Sequence, residues 1–185
     1  MAADKKGIKN ILLGVSASIS AYRACDLITE LRGAGFLVRV AMTKDARHFI
    51  TPLTLQSFSA NEVIEDFFSL AGRTKPVHIE LAQNSDLILV APASADIIAK
   101  LAHGFADDVL SCTALASQAP LIVVPAMNEH MYSNKFTQEN IKRLKDNGAV
   151  IVSPIHGHLV CSGEGMGHIA ENKDILKAVH NLLIS

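Results

Sequence analysis

The chain has no tryptophan, and aromatic residues make up only 5% of its 185 positions, so no stacking platform for single-stranded nucleic acid stands out. Its formal net charge is −1, which excludes the basic footprint that nucleic acid or an anionic membrane surface would need. No apolar run approaches the roughly 20 residues that span a bilayer. The start, Met1 to Lys6, is short and polar, unlike a secretory leader. Three cysteines at unrelated spacing make no disulfide framework, so a reducing, cytoplasmic setting is expected. Neither an internal repeat nor an interdomain linker is visible, and residues 1–185 are expected to form one domain.

What is present is the material of a core. Apolar residues are 49% of the chain and charged residues 19%, a balance that folds rather than staying disordered. Short apolar runs alternate with longer helical patterns. Asn10 to Val15, Phe36 to Met42, Asp86 to Ala91, Pro120 to Pro125 and Ala149 to Val152 read as strands, several apolar throughout, as strands buried on both faces are. Between them, Ile19, Ala24, Leu27, Ile28 and Leu31 mark a helix ending at Gly33 and Gly35, and Thr51-Pro52 opens another. Further helices are expected over Ser94–Ala102, Ala106–Ser117, about Asn134–Asp146 and Asp174–Leu183. Strand–helix alternation of this kind predicts an α/β domain, an open parallel sheet with helices on both faces. The stretch from Ser153 to Glu171 has no periodicity, and a loop of that length inside a compact domain is usually functional.

Ligands of open α/β sheets bind beyond the carboxyl ends of the strands. Gly14-Val-Ser16-Ala-Ser18-Ile-Ser20, Thr43-Lys44 and Ala91-Pro92-Ala93-Ser94-Ala95-Asp96 each put small and hydroxyl residues before a helix start, which suits a phosphate or a ribityl chain. Each also reads as an ordinary hydroxyl cap, and none is a P-loop or a spaced-glycine dinucleotide fingerprint. Pro125-Ala126-Met127-Asn128 places an amide able to meet a carboxylate, or simply to cap the next helix. His78 opens a helical pattern, where a neutral imidazole would serve as a base. Cys161 sits among glycines and histidines in the aperiodic stretch, whereas Cys25 and Cys112 fall in apolar helical patterns and read as core fillers. His156, His158 and Cys161 invite a metal reading, but no Cys-x-x-Cys pair or His-Glu-x-x-His helix completes a shell, and no metal is expected.

Together these segments resemble the flavin-containing cysteine decarboxylases, in particular the phosphopantothenoylcysteine decarboxylase domains of coenzyme A synthesis. The resemblance runs from Asn10 to about Leu176. Its anchors are Gly14-Val-Ser-Ala-Ser-Ile-Ser-Ala-Tyr22, His78-Ile-Glu-Leu81, Ala91-Pro-Ala-Ser-Ala-Asp96, Ala106-Asp-Asp-Val-Leu110, Pro125-Ala-Met-Asn-Glu-His-Met-Tyr132 and Cys161. The Pro-Ala-Met-Asn element combined with that histidine and cysteine is the specific part. Ser162-Gly163 and Gly167-His168-Ile169 depart from the usual family pattern.

The resemblance implies a Rossmann-like flavoprotein that holds FMN through Ala17, Ser18, Ile19, Thr43, Ser94, Ala95, Asp96 and Ala126. It implies His78 and Cys161 as catalytic residues, Asn128 with Met127 at the substrate carboxylate, and a mobile substrate clamp over about 154–171. The implied activity is FMN-dependent decarboxylation of 4′-phospho-N-pantothenoylcysteine to 4′-phosphopantetheine, in a homo-oligomer built from trimers. A small molecule is then the partner, with neither nucleic acid nor membrane. Two other expectations stay open: a peptide-cysteine decarboxylase, and a catalytically silent flavin-binding regulatory subunit.

Overall fold

The computed structural model describes residues 7–67, 75–159 and 163–184. Strands β1 (Asn10–Val15), β2 (Leu37–Met42), β3 (Val63–Ile64), β4 (Leu87–Ala93), β5 (Leu121–Pro125) and β6 (Val150–Ile151) form one parallel sheet in the order β3-β2-β1-β4-β5-β6. The helices are α1 (Arg23–Gly33), α2 (Pro52–Ser59), α3 (Val77–Asn84), α4 (Ala95–His103), α5 (Val109–Ala116), α6 (Glu129–Ser133), α7 (Lys135–Asp146) and α8 (Asn172–Leu183).

Strand side chains alternate between two apolar layers, as the pleat requires. Ile11, Leu13 and Val15 of β1, Leu87, Leu89 and Ala91 of β4, and Ile122 and Val124 of β5 pack with Leu27, Ile28 and Leu31 of α1, Leu55 of α2 and Ile175 and Val179 of α8. The intervening Leu12, Ile88, Val90 and Val123 pack with Leu81 of α3, Ile97 and Ile98 of α4, Leu110 of α5, and Ile141 and Leu144 of α7. Covering both faces is what makes the central strands apolar along nearly their whole length. Each fully buried leucine or isoleucine contributes about 1.5–3 kcal/mol relative to exposure.

Helix starts follow local chemistry. Thr51 accepts from Thr54 N–H ahead of Pro52, Ser94 accepts from Ile97 N–H, and Asn134 accepts from Phe136 N–H. Asp108 opens α5 with a reciprocal pair of bonds to Ser111.

Three features differ from the sequence expectation. The helix after β1 is preceded by a tight 3-10 turn over Ile19–Tyr22. The edge strand β3 has only two residues, too few to show a period. The aperiodic stretch forms an antiparallel ribbon, β7 (Ile155–Leu159) with β8 (Gly163–His168). Gly157 stands opposite Gly165 in that ribbon, and glycines and histidines make up much of both strands, so no sustained hydrophobic alternation announces it.

Gly14 lies near the end of β1, where an added Cβ would come 2.5 Å from Leu110 Cδ1 and 2.7 Å from Cδ2. Leu110 is fully buried and has nowhere to retreat. Gly14→Ala should therefore cost about 1–3 kcal/mol by overpacking, read as a lower urea midpoint at unchanged slope. In a Leu110→Ala background the same methyl should cost little, because it enters the vacated space. Equal costs in both backgrounds would refute the clash.

Candidate functional site on the carboxyl rim of the sheet

All six parallel strands end on one rim. The chain builds outward from β1 through β2 to β3, then returns to the other side of β1 to begin β4. The gap between β1 and β4 is thus the switch point where such sheets bind ligands.

Ser16 occupies that gap, 1% exposed. Its Oγ donates to Pro92 O at 2.8 Å and accepts from Ser94 N–H at 2.8 Å. Two residues on, Ser18 Oγ donates to Ala126 O at 3.2 Å and accepts from Ser20 N–H at 3.3 Å, opening the 3-10 turn. Ala126 N–H donates to Ala93 O, and Thr43 N–H donates to Val15 O, both at 3.0 Å. The ends of β1, β2, β4 and β5 are stitched into one rim. On it lie Ala17, Ser18, Ile19, Thr43, Ser94, Ala95, Asp96 and Ala126, as the sequence places them.

The donors on this rim suit an anion with a hydroxylated tail. Ser94 Oγ caps Ile97 N–H at 3.3 Å, while the Ala95 and Asp96 amides precede the first intrahelical bond and point out of the α4 start. Thr43 starts a 3-10 turn over Lys44–His48 with no capping bond from its own side chain. The side chains at positions 17 and 95 are single methyls, so main chain is approachable there.

The Asp96 carboxylate lies 3.4 Å from Lys100 Nζ, leaving its amide as the group it offers an anion. Lys100 also meets Asp107 at 3.1 Å and Asp108 at 3.2 Å. Burial opposes its charge. Hydrogen bonds to Asp107 and Asp108, with attraction from Asp108 and Asp96, outweigh burial and hold the ammonium above its ordinary pKa.

Met127 and Asn128 follow β5 on the same rim, and Asn128 Oδ1 accepts from His130 N–H at 2.9 Å, so it does cap α6. The ribbon meets this turn through Met127 N–H, which donates to Gly167 O at 3.1 Å. His78 is the second residue of α3, half-buried, its ring edge-on to Phe67 at 5.8 Å and 81°. Because α3 leads into β4, its start faces the rim. Cys161 lies outside the described residues, between the two strands of the ribbon.

Cys25 and Cys112 are half-buried at the margins of the core rather than inside it. Burial pushes both thiols up in pKa, helped by Asp26 beside Cys25 and by Asp108 beside Cys112, so both stay protonated at neutral pH. Among the described residues no group of three His, Cys, Asp or Glu side chains could hold a metal. A 480 Å³ groove lined by Leu101, Phe105, Leu115, Pro120 and Asn147 lies at the opposite, amino-terminal edge of the strands. It holds no titratable side chain, and the chemistry belongs to the rim.

Two elements of the rim escaped the sequence reading. The Ser16 bridge joins residues 78 apart in the chain, and no local pattern encodes it. Gly167 has φ +141, and a Cβ there would come 2.1 Å from Met127 O. Its only sequence signal is membership of a glycine-rich run.

A family model described as Flavoprotein matches residues 2–184. The coenzyme A biosynthesis bifunctional protein CoaBC of Bacillus subtilis (strain 168) is 43% identical over 169 residues, 91% of this chain and 42% of the relative. The chain thus spans about two fifths of the length of that curated relative. A solved structure of a cysteine-to-serine mutant of PPC decarboxylase, complexed with pantothenoylaminoethenethiol, superposes with TM-score 0.86 at 30% identity, covering 97% of this chain and 100% of that one. The FMN-dependent cysteine decarboxylase SpaF gives TM-score 0.85 at 31% identity, with 95% of both chains covered.

Removing the Ser16 hydroxyl strands the half-buried Ser94 N–H. Ser16→Ala should cost about 1–3 kcal/mol in chemical denaturation. Ser20→Ala removes a hydroxyl from the same turn without breaking the bridge and should cost less than half as much. Equal losses would show that the bridge does not hold the rim.

Proposed function

The chain belongs to the Flavoprotein family, and from that membership and the geometry of its rim we propose that it is an FMN-dependent carboxy-lyase. It converts 4′-phospho-N-pantothenoylcysteine to 4′-phosphopantetheine in coenzyme A biosynthesis. The observation that carries this reading is the stitched rim, where three small-residue turns converge on the β1–β4 switch point beside the Met127-Asn128 turn. The curated relative's name covers more than one activity, and the decarboxylation step is favoured because the PPC decarboxylase structure is covered along its whole length.

When bound, FMN supplies a two-electron acceptor that takes electrons from the cysteinyl thiol, leaving a carbon–sulphur double bond to receive those released with CO₂, and then returns them. Everything else falls to the chain. The amides of Ala17, Ser18, Ala95 and Asp96, with the hydroxyls of Thr43 and Ser94, hold the phosphate and its tail. Ile19 and Ala126 border the same turn. His78 accepts the proton leaving the substrate in the oxidative half. Asn128, its amide oriented by its bond to His130 N–H, holds the carboxylate beside Met127 until it departs. Cys161 returns a proton to the product carbon, carried by a substrate clamp over about 154–171.

Ile19 and Tyr22 are 57% and 58% exposed next to the cofactor turn. Two large apolar side chains on that rim support a second copy covering it, in a cytoplasmic homo-oligomer built from trimers. Among the described residues no helix is long and apolar enough to cross a membrane. Fold likeness alone does not choose between the two solved structures, since TM-scores of 0.86 and 0.85 are equivalent. The coenzyme A substrate is favoured by the 43% identity to the curated coenzyme A biosynthesis protein.

Purified protein supplied with FMN should be yellow, and mass analysis should show loss of CO₂ from 4′-phospho-N-pantothenoylcysteine. Flavin-loaded protein that releases none would leave the regulatory flavin-binding reading in its place.

His78→Asn should slow flavin bleaching by substrate about 10²–10⁴-fold, the span of a lost general base. Cys161→Ser should bleach normally and then accumulate the decarboxylated enethiol. Normal turnover by either variant would remove that residue from the mechanism.

A further inference from the structure

The ribbon and the turn after β5 meet at adjacent points. Met127 N–H donates to Gly167 O at 3.1 Å, and Met166 N–H donates to Glu129 Oε1 at 3.3 Å. At Gly167 the approach is so close that a Cβ would sit 2.1 Å from Met127 O, at φ +141, so only glycine fits. On its other edge β8 pairs with β7, His156 opposite Met166 and Gly157 opposite Gly165. Consecutive main-chain groups of β8 are thus fastened to consecutive residues of the turn. One fastening is main chain to main chain, and the other depends on a single side chain.

We propose that Glu129 is a positioning residue that fixes the foot of β8 against the Met127–Glu129 turn and so sets the height of the ribbon over Asn128. This rests on the reading of Asn128 as the carboxylate-holding residue. The Gly167 contact alone is one hydrogen bond about which the ribbon can pivot. A second bond one residue away removes that freedom, as two hinges fix a door where one does not. Glu129 needs only an acceptor oxygen at the right distance for this. Glutamine provides that oxygen without charge, and aspartate provides the charge one methylene short.

The test uses the full chain with Glu129→Gln, Glu129→Asp and Glu129→Ala, followed first by amide hydrogen exchange without flavin or substrate. Glu129→Gln should leave the Met166 and Gly167 amides as protected as in the parent. Glu129→Asp and Glu129→Ala should each speed exchange at Met166 about fivefold to tenfold, the worth of one lost hydrogen bond. With FMN and 4′-phospho-N-pantothenoylcysteine, the Asp and Ala variants should raise KM by a similar factor while FMN affinity is unchanged, and the Gln variant should match the parent. Unchanged exchange at Met166 in the Asp and Ala variants would overturn the proposal. So would an aspartate variant as protected at Met166 as the glutamine variant, since the reach of the side chain would then not matter. Because exchange is read without ligand, loss of the decarboxylase reading would leave this result standing on its own.

Discussion

One buried hydroxyl sets the rim. A parallel sheet can bring strand ends to a common edge, but it does not fix the loops that leave them. At the switch point those loops diverge to opposite sides, and the main chain joins them there through a long bond, Ser16 N–H to Pro92 O at 3.3 Å. The Ser16 hydroxyl adds two shorter ones, donating to Pro92 O and accepting from Ser94 N–H, both at 2.8 Å. A hydroxyl is the smallest group with both capacities, and a larger side chain would fill the approach to the main chain. Once these turns are joined, Ser18 can reach Ala126 O and bring the end of β5 into the same frame.

The two faces of the sheet support this rim unequally. On one face, Leu110 of α5 presses on Gly14 so closely that no side chain fits beneath it. That contact puts the α5 start over the end of β1. Lys100 then draws Asp107 and Asp108 toward α4, whose start is the Ser94 turn. Packing and charge therefore position the α4 start from below and from the side. On the other face, α1 and α8 form the floor, and Arg23 meets Glu171 at 3.6 Å while Asn172 donates to Glu30 at 2.7 Å. Those bonds anchor the chain as it leaves the ribbon.

Legibility in the sequence followed burial. The four longer strands, β1, β2, β4 and β5, could be read because both faces of the sheet are covered, so apolar residues dominate their runs. Helix starts at Thr51, Ser94 and Asn134 were readable because a hydroxyl or amide cap is a local choice. Val63–Ile64 was too brief to carry a period, and the glycines and histidines of the ribbon left no sustained apolar alternation to betray it. For the site, the rim rule located the turns, but roles for His78 and Cys161 came from family resemblance, not from spacing. Asn128 shows why. Its position fits a helix cap equally well, and it forms one.

How helix starts are capped also separates the turns that can serve a ligand from those that cannot. The amino-terminal end of a helix attracts negative charge, whether from a side chain or from outside. At α5 that attraction is used internally, because Asp108 brings a carboxylate to its own helix and accepts from Ser111 N–H at 2.8 Å. A second anion there would face like charge. At α4 the cap is the neutral Ser94, and the nearby Asp96 carboxylate is opposed by Lys100, so the outward amides of Ala95 and Asp96 keep their positive character. Lys100 thus touches both cases: it offsets the acid that caps one helix and the acid that would otherwise repel an anion at the other. The fold carries acidic residues at both starts, and only the one with a neutral cap remains open to an anion.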